Sequence, residues 1–69
     1  MPVINGYTII AWREAYGGYV ILGVAPVQGD PMRLSYVVAT ISSPYDTSWY
    51  SGDYDFPSIE HAVNRYSTR

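Results

Sequence analysis

Apolar, β-branched and aromatic residues are concentrated in four segments of the chain. These segments cover residues 7–13, 19–25, 33–41 and 49–54, and Gly52 interrupts the last of them. Residues of these types fit the pleated, half-buried surface of a sheet. The pattern therefore predicts four β-strands, with a bulge or a bend at the glycine of the fourth.

The connections between the predicted strands contain typical turn residues. Gly17 and Gly18 separate the first two strands, and glycine readily adopts the positive φ of a tight reversal. We therefore expect a β-hairpin that turns at this pair. Pro26 is expected to end the second strand, because proline cannot donate to a central ladder. Residues 26–31 and 42–48 are rich in turn formers and predict two loops.

The hydrophobic period changes near the C-terminus. Four apolar residues recur there at the spacing of one helix face: Ile59, Ala62, Val63 and Tyr66. Pro57 suits a first helical turn and Ser58 can cap it, while Phe56 is placed to pack back onto the helix. The order β-β-β-β-α predicts a single α+β domain over residues 1–69, a small antiparallel sheet of about four strands with one C-terminal helix.

Neither face of the predicted sheet is polar. Side chains alternate along a strand, so Ile9 and Ala11 are expected on one face and Ile10 and Trp12 on the other. The next two strands also carry apolar residues on both sides. Because one helix covers one face, an exposed apolar area is expected on the other. Closure into a small barrel, long covering loops, a homo-oligomer such as a homodimer, or docking on another protein would each hide it.

Composition and charge exclude several classes of protein. The 69 residues include no cysteine and no lysine, and the formal net charge is −2. Disulfides and thiolate metal sites are therefore absent, and a basic surface for nucleic acid is not expected. No apolar run approaches the ~20 residues that span a bilayer, and residues 1–6 lack the positive region of a secretory signal. We expect a cytoplasmic protein without a membrane or nucleic-acid partner.

Candidate catalytic chemistry is sparse. The single histidine, His61, lies opposite the apolar stripe of the predicted helix, next to Glu60 and Asn64, and is expected to face solvent. No serine or second carboxylate has a spacing that marks it as a catalytic partner. The carboxylates of the last third of the chain do not have the spacing of a calcium loop: Asp46, Asp53, Asp55 and Glu60. We expect no catalytic residues, no metal and no cofactor, and therefore not an enzyme.

Aromatic and acidic residues alternate between positions 45 and 56. Tyrosine and tryptophan give a large contact area at low rotamer cost and are enriched in binding hot spots. We expect Trp49 and Phe56 to be core anchors beneath the helix. For the three tyrosines, exposed recognition and a structural role both remain open. The predicted partner-binding residues, the last of them conditional on an uncovered face, are Tyr45, Tyr50, Asp53, Tyr54 and Trp12.

The second half of the chain resembles a loose class of short phage and actinobacterial proteins. That class shares a Tyr-Val-Val segment, then Trp-x-x-Gly-x-Tyr, then a short helix ending in arginine. The matching stretches are Tyr-Val-Val-Ala-Thr at 36–40, Trp-Tyr-Ser-Gly-Asp-Tyr-Asp-Phe at 49–56 and Ser-Ile-Glu-His-Ala-Val at 58–63. The commoner pattern has a charged helix and an acidic tail, from which this chain departs. The resemblance implies an accessory protein that acts on host proteins, including defence systems.

Together these observations predict a small non-enzymatic module that binds a protein partner stoichiometrically. With the resemblance, the partner would be a host factor, and the module would be a phage-type inhibitor or modulator in the host cytoplasm. One alternative is a structural homo-oligomer, such as a small component of a particle or tail. A second is a small-ligand binder with an aromatic pocket between sheet and helix.

Overall fold

The protein is an antiparallel meander of five strands with one C-terminal helix. The computed structural model describes residues 3–49 and 51–69. The strands are hydrogen-bonded in chain order, β1-β2-β3-β4-β5. The predicted α+β fold is confirmed, with one more strand than expected. The elements are β1 (Val3–Ile4), β2 (Tyr7–Ala15), β3 (Gly18–Val27), β4 (Asp30–Ile41), β5 (Gly52–Asp53) and α1 (Ile59–Thr68).

The hairpin between β2 and β3 turns one residue earlier than predicted. Tyr16 and Gly17 have φ of 56° and 75°, the two positive values of a type I′ turn. Gly18 instead belongs to β3 and pairs with Ala15. A Cβ atom on Gly18 would clash with the carbonyl oxygen of Ile41. The second glycine is therefore required for close approach of two backbones, and not for the turn.

The predicted loop at 26–31 is the tip of a second hairpin. β3 continues through Pro26 to Val27, and β4 begins at Asp30. Proline is tolerated because β2 pairs with β3 only as far as Val24, so Pro26 has a strand on one side only. We call residues 25–35 the arm, since this two-stranded part extends beyond the rest of the sheet.

The two faces of the sheet carry separate apolar clusters. On the helix face, Val20, Leu22 and Val38 pack with Ala62 of α1. The opposite face, which we call the loop face, contains buried residues from four strands: Ile4, Ile9, Ile21, Val37, Ala39 and Ile41. The alternation predicted for 19–25 and 33–41 is confirmed by this division.

The prediction for β2 is wrong at one position. Ile9 pairs with Gly23 and Ala11 pairs with Leu22, so Ile10 is an additional residue in the strand. Such a β-bulge breaks the alternation. Ile9 consequently lies on the loop face, whereas Ala11 packs against the helix-face cluster.

The helix begins as predicted and is held at both sides. Ser58 is its N-cap, and the Ser58 hydroxyl accepts a hydrogen bond from the backbone N–H of His61. Arg65 Nε donates to Asp53 Oδ2 of β5 at 2.6 Å, and Arg13 Nη2 of β2 donates to the Tyr66 carbonyl at 2.9 Å. The predicted apolar stripe is only partly buried. Ala62 is fully enclosed and Tyr66 half-buried, but Ile59 and Val63 remain nearly half exposed.

Part of the loop face is covered by the chain itself, because the six residues of the loop-face cluster are buried within one protomer. Trp49, Tyr7 and Tyr19 pack against them. Exposed apolar area remains on this face at Trp12, which pairs with Ile21 and is 55% exposed. We expected Trp49 and Phe56 beneath the helix. Phe56 does pack on the helix-face cluster, but the prediction is wrong for Trp49.

Within the described residues, the structure contains no helix with the length and apolar character of a membrane span.

Candidate functional site: the turn end of the sheet

The segment that follows β4 is organised by one carboxylate. Asp46 Oδ2 accepts hydrogen bonds from the backbone N–H and the hydroxyl of Ser42, both at 2.9 Å, and from the backbone N–H of Ser43 at 3.2 Å. These donors, above all the Ser42 backbone N–H, favour the ionised form and lower the pKa of Asp46. A backbone hydrogen bond from Asp46 N to Ser43 O closes the same turn. The direction of this loop is therefore fixed locally.

Trp49 anchors the same segment at its other end. Its ring lies tilted against Tyr7, with centroids 5.9 Å apart, and its Nε1 donates to the Tyr54 hydroxyl at 2.7 Å. Arg69 Nη2 donates to the Ser51 hydroxyl at 3.2 Å. The loop is thus held on the sheet by an aromatic contact, and Ser51, two residues beyond it, is joined to the C-terminal end of the helix. We call residues 42–49 the aromatic loop.

Two open grooves flank the β2–β3 turn where it meets the aromatic loop. The first has a volume of about 680 Å³ and is lined by hydroxyl side chains of the loop and by Trp49. The second, of about 550 Å³, lies between the hairpin and the start of the loop. Tyr16 lines both grooves. The residues of the second groove are Glu14, Ala15, Tyr16, Gly17, Gly18, Tyr19, Ser42, Ser43 and Pro44.

The predicted site residues are not gathered into one cluster. Tyr45 is 89% exposed and follows Pro44 of the second groove directly. Tyr54 is engaged through its hydroxyl by Trp49. Trp12 is 55% exposed in the middle of β2 and lines neither groove. The prediction for Tyr50 lies outside the described residues.

Asp53 has a partner within the chain. It lies 2.6 Å from Arg65 Nε and 3.7 Å from Arg69 Nη1, and both ion pairs found in the described ranges use this carboxylate. Its charge is therefore engaged in fastening the helix to β5. A role in binding a partner is a prediction that the geometry does not favour.

Sequence reasoning missed Tyr16 and Glu14. Tyr16 is 76% exposed, and its hydroxyl donates to the carbonyl of Arg69 at the end of the helix. A tyrosine directly before a Gly-Gly pair was the available signal, because the first residue of a two-residue turn projects from the sheet. Glu14 pairs with Tyr19 across the hairpin. This pairing was missed because the turn was predicted one residue later, at Gly17 and Gly18.

His61 and the carboxylates are the side chains with potential for catalysis or metal binding. His61 is exposed, and its Nδ1 lies 2.8 Å from the Ser58 hydroxyl. Within residues 3–49 and 51–69, no group of three or more His, Asp or Glu side chains is arranged to hold a metal ion. Comparisons with protein-family models, curated proteins and solved structures give no match.

Proposed function

We propose that this chain is a small non-enzymatic domain that binds another protein stoichiometrically. The contact would be made by the end of the sheet formed by residues 14–19 and the aromatic loop, which we call the turn end. The proposal rests mainly on the exposure of two tyrosines, Tyr16 and Tyr45, in neighbouring turns. The Tyr16 hydroxyl is held by the Arg69 carbonyl, and the loop that carries Tyr45 is held by the hydrogen bonds to Asp46. Exposed aromatic residues on rigid loops are typical of recognition surfaces.

The composition of the aromatic loop supports the same proposal. Between Ser42 and Trp49 it contains serine, threonine, tyrosine and tryptophan with one aspartate. Tyrosine supplies contact area through few rotatable bonds, and serine supplies adaptable hydrogen bonds. Because Asp46 already holds the loop in one shape, little conformational entropy is lost when a partner binds.

The small-ligand alternative has less support. It was expected to use an aromatic pocket between sheet and helix, whereas both grooves described above lie at the β2–β3 turn and are open to solvent. Ligand pockets usually bury most of a small molecule.

The resemblance of the second half of the chain supports a more specific form of the proposal. In this form the partner is a host factor, and the chain is a phage-type inhibitor or modulator.

The test compares variants that remove the two rings without disturbing the fold. Tyr16→Asn creates an Asn-Gly turn, which favours the same type I′ geometry, and Tyr45→Ser removes an exposed ring. A partner captured from a candidate host lysate would be purified and titrated against each protein. Loss of two hot-spot rings should weaken a one-to-one complex by about thirtyfold or more.

Met32→Ser is the matched control. Met32 is 91% exposed but lies in the arm, at the opposite end of β3 and β4 from the turn end. It should leave the affinity unchanged. If the double Tyr variant binds as tightly as the native chain, the turn end is not the contact surface.

A further inference from the structure

The second groove combines two aromatic walls with a carboxylate, that of Glu14, which forms no ion pair within residues 3–49 and 51–69. Glu14 and Tyr19 are directly opposed in the β2–β3 ladder, so their side chains lie on the same face of the sheet about 5 Å apart at Cβ. Tyr16 and Tyr19 both line the groove, together with Glu14 and Pro44. From this arrangement we infer that the second groove receives an arginine side chain of the protein partner, an inference that rests on the proposed function.

No arginine of the described residues forms an ion pair with Glu14. Both ion pairs in residues 3–49 and 51–69 are made to Asp53, by Arg65 and Arg69. Arg13 is next to Glu14 in sequence, but it lies opposite Val20 on the helix face and stacks over the Tyr66 ring at 5.5 Å. A cation from outside the chain would complement Glu14, in keeping with a net charge of −2.

The two rings are held in place before any partner arrives. The Tyr16 hydroxyl is bonded to the Arg69 carbonyl, and Tyr19 packs against the loop-face cluster. The opposite wall is also fixed, because Ser43 donates its backbone N–H to Asp46 and accepts a hydrogen bond from the backbone N–H of Tyr45. A preorganised site loses little entropy on binding.

Arginine fits this groove better than lysine does. Its guanidinium is planar, stacks on aromatic rings and donates in a fork that matches a carboxylate. Lysine carries a compact and strongly hydrated charge that gains less from flat walls. The groove volume of about 550 Å³ exceeds what one side chain needs, so neighbouring residues of the partner also have room.

The test uses blocked amino acids and needs no partner protein. N-acetyl-arginine methylamide would be titrated into the full chain while backbone amide resonances are recorded by NMR. The citrulline analogue, which is neutral but nearly the same shape, and the lysine analogue would be titrated in parallel. We expect saturable shifts at Ala15, Gly17, Gly18 and Ser43 with the arginine probe, and about fivefold weaker binding of the citrulline probe.

Glu14→Gln and Glu60→Gln form the matched pair of variants. Both remove one negative charge, but Glu60 lies in the first turn of the helix and not in the groove. Glu14→Gln should weaken the arginine probe by about twofold to fivefold, while Glu60→Gln should leave it unchanged. The native amide spectrum of each variant would confirm that it is folded.

Three results would overturn the inference. Equal binding of the citrulline probe would mean that charge is not recognised. Equal binding of the lysine probe would remove the arginine assignment, and equal weakening in both variants would indicate an effect of net charge alone. Each result is independent of the partner titration described above, which could still succeed with Tyr16 and Tyr45 as contacts.

Discussion

Both faces of this sheet carry a buried apolar cluster, but the two clusters are covered in different ways. On the helix face, a regular helix places Ala62 over Val20, Leu22 and Val38. On the loop face, an irregular segment places Trp49 over a larger set of buried residues. The helix is capped and ion-paired, whereas the loop depends on Asp46 and on one indole ring.

The difference shows how a short chain can bury a sheet with apolar residues on both sides. A helix satisfies its own backbone and needs only an apolar stripe, so it covers a face with few specific contacts. An irregular segment must satisfy each backbone group separately. The loop face should therefore be as important to stability as the helix face, but its cover should be more sensitive to single changes.

The largest effects are expected from two adjacent core residues that point to opposite faces. Ile21 belongs to the loop-face cluster and Leu22 to the helix-face cluster, and both are buried. Substitution of either by alanine should lower the free energy of unfolding by about 2–5 kcal/mol, because it removes buried methyl groups and leaves a cavity. Urea denaturation followed by circular dichroism measures both.

The comparison of the two faces fails if Ile21→Ala costs much less than Leu22→Ala. A domain of this size has a total stability of only about 3–10 kcal/mol, so the alanine variants could be largely unfolded. Ile21→Val is then the milder probe, expected to cost about 1 kcal/mol.

The covers themselves should give intermediate effects. Trp49 and Phe56 are half-buried aromatic residues that pack on the loop-face and helix-face clusters respectively. Trp49→Ala should cost about 2–3 kcal/mol and Phe56→Ala somewhat less, since Trp49 also donates a hydrogen bond to Tyr54. Thermal unfolding of the two variants compares the stability that each cover contributes. A larger loss of stability for Phe56→Ala than for Trp49→Ala would contradict the expected difference between the irregular and the helical cover.

The smallest effect concerns the pH dependence of the loop. Because hydrogen bonds lower the pKa of Asp46 in the folded state below its ordinary value of 3.8, its ionised form contributes stability above that value. This contribution disappears as the pH falls through the lowered pKa. Asp46→Asn should therefore flatten the loss of thermal stability between about pH 4 and more acidic conditions.

Asp55→Asn is the charge-matched control for Asp46, because Asp55 is an exposed aspartate that lies outside the aromatic loop. If both variants change the acid limb by the same amount, Asp46 has no special role in holding the cover. A difference confined to Asp46→Asn would connect the covering loop to one titrating carboxylate.

The sequence was sufficient for the parts of the fold that depend on local periodicity. The alternation of β3 and β4, the position of the helix and its cap at Ser58 all follow from side-chain spacing and capping chemistry. The turn at Tyr16 and Gly17 was misplaced by one residue because two glycines compete for it. Gly18 is required by the distant Ile41 carbonyl, which no local pattern contains.

The cover of the loop face and the candidate site could not be predicted for the same reason. Trp49 meets Tyr7 across more than forty positions of sequence, and such a contact has no periodic signal. Tyr45 was recognised from composition and is exposed. Glu14 and Tyr19 become neighbours only when the hairpin register is known.

The bulge at Ile10 makes this position of β2 respond to deletion differently from the rest of the strand. Its side chain is exposed, so most replacements should be tolerated. Loss of the residue itself would restore a regular ladder without turning any side chain over, because Ile9 and Ala11 would become consecutive residues that still face opposite sides of the sheet. A one-residue deletion in the regularly paired part of β2, between Ala11 and Ala15, would instead turn Tyr7 and Ile9 away from the cluster they complete, so the place of a deletion within this strand decides its effect.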